Sequence, residues 1–334
     1  MKIVNSLPTD KWMSFVNRHP SGNIFHTPYM MNVFKGAKGH LPFLFAAIDK
    51  KDEICGLILA VQVKTLGNFL IRCSSRSVVY GGILWDSSCG SNEGLRELIA
   101  NYDSFVKGKL LFTEIRNRDD AVIIKNPLRS SGYQYEDYLN YLIDLTSDKK
   151  SIFQSFSKSR KRNIKTAEKV GYTIEEVNNL KGLLIFYNII KETYSRIKVP
   201  LADFSLFNSA YEYLHDTGQF KIFLARYKSD FVGAEALLIF KGVALTWYGG
   251  SYRNKSLPTP DPLLIWHIIR WAKANNYHTL DFGGAGGPKE KYGVRDFKAR
   301  FNGRLVNFGR FTKIHSPNVF KISKKAYKIY RKFL

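Results

Sequence analysis

Two glycine pairs and one lysine carry most of the chemistry that this sequence offers. Gly249-Gly250 ends one strand-like run, and Gly283-Gly284 ends the next. Glycines at strand ends let a ligand approach the backbone closely, because no side chain stands in the way. Lys298 follows in a basic loop, between Phe297 and Phe301. We therefore expect the functional site in the last third of the chain.

Polar side chains surround both glycine pairs. Those beside the first pair, which could hold a ligand, are Tyr248, Tyr252, Arg253 and Asn254. A structural role of Tyr248 in a sheet fits the pattern as well. Asp281 ends a short strand at residues 279–282. It could serve as a base, although an aspartate at a strand end more often anchors a turn.

Composition and charge indicate a folded protein that attracts polyanions. The 334 residues are 45% hydrophobic and carry a net charge of +23, from 51 Lys and Arg against 28 Asp and Glu. Nucleic acid, an anionic membrane surface or a pyrophosphate group would each suit this field, and simple solubility is the plain alternative. No apolar run approaches the ~20 residues of a spanning helix. The three cysteines, Cys55, Cys73 and Cys89, are expected to be reduced, as in a cytoplasmic protein.

The charge is concentrated in two segments. Residues 149–169 hold eight basic residues and one acid, and apolar residues recur there near helical spacing. We expect one helix, whose polar face presents the following residues to a polyanion or simply to solvent: Lys158, Arg160, Lys161, Arg162 and Lys165. Residues 317–334 predict a second basic helix, which docks on the protein or lies on an anionic membrane.

Two halves of the chain repeat the same order of elements. Residues 44–59 and 222–237 each read as strand, polar turn and strand, with an early glycine in the second strand. Each half then reaches Tyr-Gly-Gly, a helix, and a strand that contains an acid. We infer an α+β fold of two tandem domains, each a mostly antiparallel sheet that becomes parallel at its last crossover. The domains are expected at residues 1–146 and 147–315, and residues 316–334 should return to the first.

Three motifs give the chain a resemblance to a known family. They are residues 155–164 with Lys169-Val170-Gly171, residues 248–254 with Asp281-Phe282-Gly283-Gly284, and Tyr292-Gly293-Val294 with Phe297-Lys298 and Phe301-Asn302-Gly303. In this order they resemble the Fem family (FemABX) of non-ribosomal peptidyltransferases, in its branch without a helical-hairpin insertion. The family has two tandem domains of the GNAT acyltransferase type. Its members add amino acids from aminoacyl-tRNA to the peptide of cell-wall precursors.

The resemblance implies a role for three cations. Lys298 matches the family's catalytic lysine, thought to stabilise the oxyanion formed when an amine attacks an ester. Lys35 and Arg196 match positions that bind the pyrophosphate of a nucleotide- or lipid-linked precursor. The implied donor is aminoacyl-tRNA, held by the basic segment at residues 149–169. No cofactor is expected, and acetyl-CoA is disfavoured because the Arg/Gln-x-x-Gly-x-Gly/Ala loop of acyl-CoA enzymes is missing.

Two other readings stay open at this point. One is an N-acyltransferase of the same fold that acts in exopolysaccharide or other envelope metabolism. The other is a protein without catalysis that binds RNA or a membrane surface. The seven histidines show neither metal-ligand spacing nor a triad pattern, so no metal is expected. We expect a cytoplasmic monomer, with a peripheral contact at the inner face of the membrane as a further expectation.

Overall fold

The chain folds into two compact units, each built on one sheet. The computed structural model describes residues 1–64, 75–89, 92–254, 256–321 and 323. Unit 1 comprises Met1–Asp137 together with the segment that begins at Phe308, and unit 2 comprises Tyr138–Asn307. The chain therefore leaves unit 1 once, completes unit 2 and returns.

Unit 1 holds a mixed sheet and four α-helices among its described residues. Its strands are β1 Lys2–Val4, β2 His40–Ile48, β3 Ile54–Lys64, β4 Ser75–Val79, β5 Leu84–Trp85, β6 Phe112–Arg116, β7 Gln134–Glu136 and, after unit 2, β15 Arg310–Ile314. Its helices are α1 Thr9–Arg18, α2 Pro28–Gly36, α3 Asn92–Val106 and α4 Val122–Ser130, with a 3-10 turn at Ile24–His26. The strand order is β1-β2-β3-β4-β6-β15-β7, with β5 paired to β3.

Unit 2 has the same plan around a second sheet. Its strands are β8 Leu139–Asp144, β9 Thr173–Val177, β10 Phe220–Tyr227, β11 Asp230–Phe240, β12 Val243–Ser251, β13 Thr279–Gly284 and β14 Arg304–Asn307, in the order β14-β8-β13-β12-β11-β10-β9. Its helices are α5 Lys149–Ser155, α6 Lys158–Val170, α7 Leu180–Arg196, α8 Phe204–Leu214, α9 Asp261–Ala274 and α10 Gly293–Ala299.

The expected duplication is confirmed by the strand pairing. In unit 1 the parallel pair is β4 with β6, joined through α3. In unit 2 it is β12 with β13, joined through α9. The hairpins β2–β3 and β10–β11 are the matching antiparallel elements. The α+β fold class inferred from the sequence is thus the observed one.

The borders of the domains differ from the expected ones. Strand β8, which we assigned to the first domain, lies in the sheet of unit 2 between β13 and β14. Strand β15, assigned to the second domain, pairs with β6 and β7 in unit 1. Both errors have one cause: a strand pattern in the sequence does not say which sheet accepts the strand. The helix at the end of the chain is described only in part. Residues 317–321 are helical, and residues 324–334 lie outside the described part of the chain.

The basic segment forms two helices rather than one. Helix α5 ends at Ser155 and α6 begins at Lys158. Ser157 caps α6, because its hydroxyl accepts a hydrogen bond of 3.2 Å from the Arg160 N–H. Phe156 has an extended backbone at the break and is 2% exposed in the core of unit 2. The chain therefore turns to bury a phenylalanine and to start a new helix at a serine.

Helix α9 lies at the centre of the core of unit 2. Eight of its residues are buried, which matches a helix that is apolar on nearly all sides. It packs against α6, whose buried residues include Ile164 and Ala167. Burying a side chain such as Ile164 stabilises the fold by roughly 1.5–3 kcal/mol. This packing fixes α6 and α9 on one face of the sheet.

Candidate active site

The site forms where the parallel pairing of β12 and β13 stops. The two strands pair over three residues each, Val243–Leu245 against Thr279–Asp281. The next step is bridged by a side chain, since the Thr246 hydroxyl donates to the Phe282 carbonyl at 3.1 Å. Gly283 then adopts φ +67°, a conformation that favours glycine. The carbonyls at the end of β13 are consequently free of the β12 ladder.

Lys298 binds these carbonyls. It lies in the last turn of α10 and is half-buried. Its ammonium donates to the carbonyl oxygens of Phe282 at 2.6 Å, Gly283 at 3.3 Å and Gly284 at 2.8 Å. An ammonium has three N–H donors. Lys298 is thus a fixed positive charge at the end of β13, and its longest hydrogen bond is the one to Gly283.

A second cation of the same helix orders the loop after β13. The Arg295 guanidinium donates to four carbonyl oxygens, those of Ala285 at 3.0 Å, Gly287 at 2.6 Å, Pro288 at 2.9 Å and Glu290 at 2.6 Å. Together Lys298 and Arg295 bind carbonyls from Phe282 to Glu290. The backbone beyond the β12 pairing is thus held by this short helix as well as by its contacts with β8.

Arg160 is buried against α10, so the expectation that it faces a polyanion is wrong. Its side chain is 2% exposed. The guanidinium carbon lies 4.2 Å from the ring centres of both Phe297 and Phe301, and Nη2 donates to the Phe297 carbonyl at 2.8 Å. Burial lowers the pKa of Arg160 to about 10, so the side chain stays charged at neutral pH. Arg160 clamps the two aromatic residues on either side of Lys298.

Glu235 is the carboxyl group that faces Lys298. It lies on β11, opposite Gly249 of β12, and is half-buried. A Cβ atom on Gly249 would lie 1.8 Å from Oε2 of Glu235, so the carboxyl group can hold this position only because residue 249 has no side chain. Burial raises the pKa of Glu235 to about 8, the Lys298 ammonium opposes this rise, and Asp261 adds to it. The neutral and ionised forms of Glu235 are therefore both populated near physiological pH.

Asp281 has the contacts of a turn anchor. It is 4% exposed, and its Oδ1 accepts from the Gly283 N–H at 2.7 Å and from the Asn140 amide at 2.7 Å. These two hydrogen bonds hold the backbone at the glycine pair. Of the two readings of Asp281, this geometry favours the anchor over the base.

The other predicted residues of unit 2 lie near the far end of β12. Arg196 donates to both carboxylate oxygens of Glu192, at 2.8 and 2.7 Å, and to the Ser251 carbonyl at 3.2 Å. The Tyr248 ring packs on Phe207, with 4.9 Å between ring centres. The structure does not place Arg196 in contact with Lys298. The three remaining residues of this group, all exposed, follow β12 in the chain: Tyr252, Arg253 and Asn254.

Lys35 belongs to unit 1, whereas the residues described above belong to unit 2. It occupies the last turn of α2 in unit 1 and is exposed. Nothing within unit 1 tests the expected contact with a pyrophosphate, which therefore stays a prediction.

The predicted polyanion face is an open basic groove on α5 and α6. Its volume is about 770 Å³. The lining residues, which define the basic groove, are Lys150, Phe153, Gln154, Lys158, Lys161, Arg162, Lys165, Thr166 and Lys169. Four of the five predicted cations are in this set, and Arg160 is not. The groove carries six basic side chains and no acid, which makes it a site of strongly positive potential.

The expectations about cysteines, metal sites and membrane-spanning helices can be compared with the structure only for the described residues. Cys55 and Cys89 are free thiols, and Cys73 lies outside the described residues. In the described part of the chain, no cluster of His, Cys, Asp and Glu is arranged to hold a metal ion. The described helices include none with the length and hydropathy needed to cross a membrane.

Known proteins resemble this chain in sequence or in fold. A family profile described as an acetyltransferase (GNAT) domain matches residues 154–299, which contain α6, Glu235 and Lys298. A lipid II:glycine glycyltransferase of Staphylococcus epidermidis is 34% identical over 84 residues, or 25% of this chain. That match spans only a fifth of the relative, 20% of its length.

Two solved structures have the same tandem architecture. FemX superposes with a TM-score of 0.72 at 16% identity, covering 96% of this chain and 99% of FemX. The chain therefore shares the fold of FemX. A tandem GNAT protein from the clavulanic acid biosynthesis pathway superposes with a TM-score of 0.60 at 9% identity, covering 95% and 99% of the two chains. The chain thus has the tandem fold of these proteins, and the match to the acetyltransferase (GNAT) profile lies in unit 2.

Two features of the site were not predicted from the sequence. Glu235 is the one acid between residues 231 and 240, and the cross-strand glycine at 249 was a signal that could have singled it out. Arg160 lies four and seven residues before Ile164 and Ala167, which places it on their buried face. Asn302 adopts φ +54°, which asparagine tolerates better than most residues.

Proposed function

We propose that this protein transfers an aminoacyl group from aminoacyl-tRNA to an amine of a cell-wall precursor peptide. The observation that carries the proposal is the Lys298 ammonium, held at the open end of β13 within a GNAT domain. The amine attacks the ester carbonyl, an N–C bond forms, and negative charge develops on the carbonyl oxygen. A fixed ammonium next to that oxygen lowers the barrier by roughly 3–4 kcal/mol in a site that excludes water.

The hydrogen bonds of Lys298 indicate how it would meet the oxyanion. All three N–H groups are engaged by carbonyls in this structure. The contact with Gly283, at 3.3 Å, is the weakest of the three, so this N–H is the one that turns to the oxyanion. The other two keep the ammonium in place. The lysine then needs no change of rotamer and little reorganisation during the reaction.

The basic groove supports tRNA as the donor. Its cations lie on α5 and α6. Helix α6 also carries Arg160, which donates to the Phe297 carbonyl in α10, the helix of Lys298. Phosphate contacts from such a surface give strong binding that does not depend on base sequence and that weakens with salt. The acceptor is proposed by similarity to the glycyltransferase, whose name gives lipid II as its acceptor.

The start of helix α9 argues against acyl-CoA as the donor. Anions bind at helix N-termini because free N–H groups point outward there. Here Pro260 and Pro262 flank the first residue, Asp261, and a proline has no N–H. The Asp261 carboxylate also accepts from the Ser251 hydroxyl at 2.8 Å. A pyrophosphate would meet a negative charge and few donors at this helix.

The test is amide formation by the purified protein. It is incubated with a set of charged tRNAs and with nucleotide- and lipid-linked precursors, and the peptide product is followed by mass spectrometry. The Lys298→Met variant should lose product by about 10²- to 10³-fold, whereas Lys291→Met, an exposed lysine that precedes α10, should not. Absence of an amide product with every donor would refute the proposal.

The GNAT profile keeps one other candidate function open, N-acyl transfer from acyl-CoA in envelope metabolism. The two donors are separated by a thermal-shift experiment with acyl-CoA, wall precursor and tRNA in parallel. Stabilisation by acyl-CoA alone would favour the alternative. RNA binding without turnover, unchanged in Lys298→Met, would instead indicate a binding protein.

A further inference from the structure

Glu235 is the acid at the centre of β11, and the residues on either side of it, from 231 to 240, are apolar or glycine. β11 lies between β10 and β12, and Glu235 pairs with Phe223 on one side and Gly249 on the other. A carboxyl group in this position loses much of its hydration, which disfavours its charged form. The fold makes space for it with a glycine at 249, since any Cβ there would collide with the carboxyl oxygen.

The groups around Glu235 are those of an acyl-transfer site. The charged or titratable groups that act on it come from three helices: Lys298 of α10, Asp261 of α9 and Tyr194 of α7. Within the described part of the chain, the carboxyl group of Glu235 has neither a hydrogen bond nor an ion pair. Its carboxyl group is only half-buried, so a small group from solvent can reach it. Its hydrogen-bonding capacity is available to a ligand.

We propose that Glu235 is the proton acceptor for the attacking amine. This inference rests on the proposed function and adds the residue that moves the proton. As the amine nitrogen bonds to the ester carbon, one N–H proton passes to the Glu235 carboxylate. When the C–O bond to the ribose breaks, the same proton passes to the departing oxygen, which leaves as a hydroxyl. Glu235 is ionised again, and no proton is gained or lost over the cycle.

The environment of Glu235 suits both halves of this step. A carboxyl group with its ordinary pKa is too weak a base to take a proton from an amine, and burial here raises the pKa of Glu235 to about 8. Lys298 keeps the ionised form accessible, because its positive charge counters the cost of burial. Lys298 and Glu235 thus divide the work: the ammonium stabilises the oxyanion, and the carboxylate carries the proton.

The experiment measures amide formation from about pH 6 to about pH 10 with the full-length protein and its Glu235→Gln variant. Glutamine keeps the shape but cannot accept the proton. We expect kcat to fall by about 10²- to 10⁴-fold with KM nearly unchanged, and the rise of the wild-type rate near pH 8 to disappear. Glu235→Asp should recover part of the rate. Asp230→Asn, an exposed acid at the start of the same strand, should behave as the wild type.

The outcomes separate this inference from the proposed function. If the wild type forms product and Glu235→Gln retains the same rate and the same pH profile, Glu235 is not the proton acceptor and the proposed function still holds. If the wild type forms no product with any donor, both the proposed function and the role of Glu235 are refuted.

Discussion

The Arg160 clamp gives a prediction whose size can be worked out from its contacts. Burying the guanidinium lowers its pKa from 12.5 to about 10, which corresponds to a cost of roughly 3 kcal/mol. Two desolvated cation–π contacts with Phe297 and Phe301 return about 2 kcal/mol each, and a hydrogen bond from a charged group adds roughly 1.5–3 kcal/mol. The balance favours the clamp by about 2–4 kcal/mol.

Arg160→Met should therefore lower the free energy of unfolding by about 2–4 kcal/mol, measured by urea denaturation. Arg160→Lys should recover little of it, because an ammonium cannot lie flat between two rings and donate to the Phe297 carbonyl as well. The matched control is Arg162→Met on the exposed side of the same helix, which should stay within about 0.5 kcal/mol of the wild type.

A double-mutant cycle assigns the effect to the clamp itself. Arg160→Met and Phe301→Leu should couple by about 1–2 kcal/mol, because each removes the partner of the other. Amide formation should fall in Arg160→Met as well, since the helix that carries Lys298 loses its support. Equal stability of Arg160→Met and wild type, or additive effects in the cycle, would refute this reasoning.

Two further predictions concern buried groups in the two units. Burial lowers the pKa of His26 in unit 1 to about 3. The free energy of unfolding should therefore be highest above the unfolded pKa of 6.5 and decrease as the pH falls toward 3, by about 2–3 kcal/mol at pH 4.5. His26→Gln should show a flatter pH dependence of the urea midpoint, and parallel curves for variant and wild type would contradict the assignment. In unit 2, Gly249→Ala should destabilise the fold by about 1–3 kcal/mol through the clash with Glu235 and should lower amide formation. Glu235→Ala should relieve that clash in the double variant, and a double variant no more stable than Gly249→Ala would argue against it.

The repeated elements were predictable because they depend on local patterns. Apolar alternation, turn residues and the order of strand, helix and strand predicted both hairpins and both parallel crossovers. The placement of β8 and β15 was not predictable in this way. Each is a short strand whose own sequence is compatible with either sheet, and the choice is made by residues more than a hundred positions away.

The site shows the same division between local and long-range information. Lys298 was found through a resemblance, since a lysine in a basic loop has no local signal of its own. Arg160 was assigned to the wrong face because its charge was given more weight than its spacing from Ile164. Glu235 was missed because the apolar residues around it predict a strand, and a strand pattern does not show whether a single acid in it is functional. Its partners belong to three helices that only the fold brings together.

The return of the chain to unit 1 has a consequence for biosynthesis. Strand β15 lies between β6 and β7, and β7 pairs with no other strand in the described sheet. A ribosome releases residues 138–307 before residues 310–314, so unit 2 has its whole sequence available while the sheet of unit 1 is still open at β6. The part of the protein made first is thus completed last, and until then β6 is an exposed strand edge that can pair with another nascent chain.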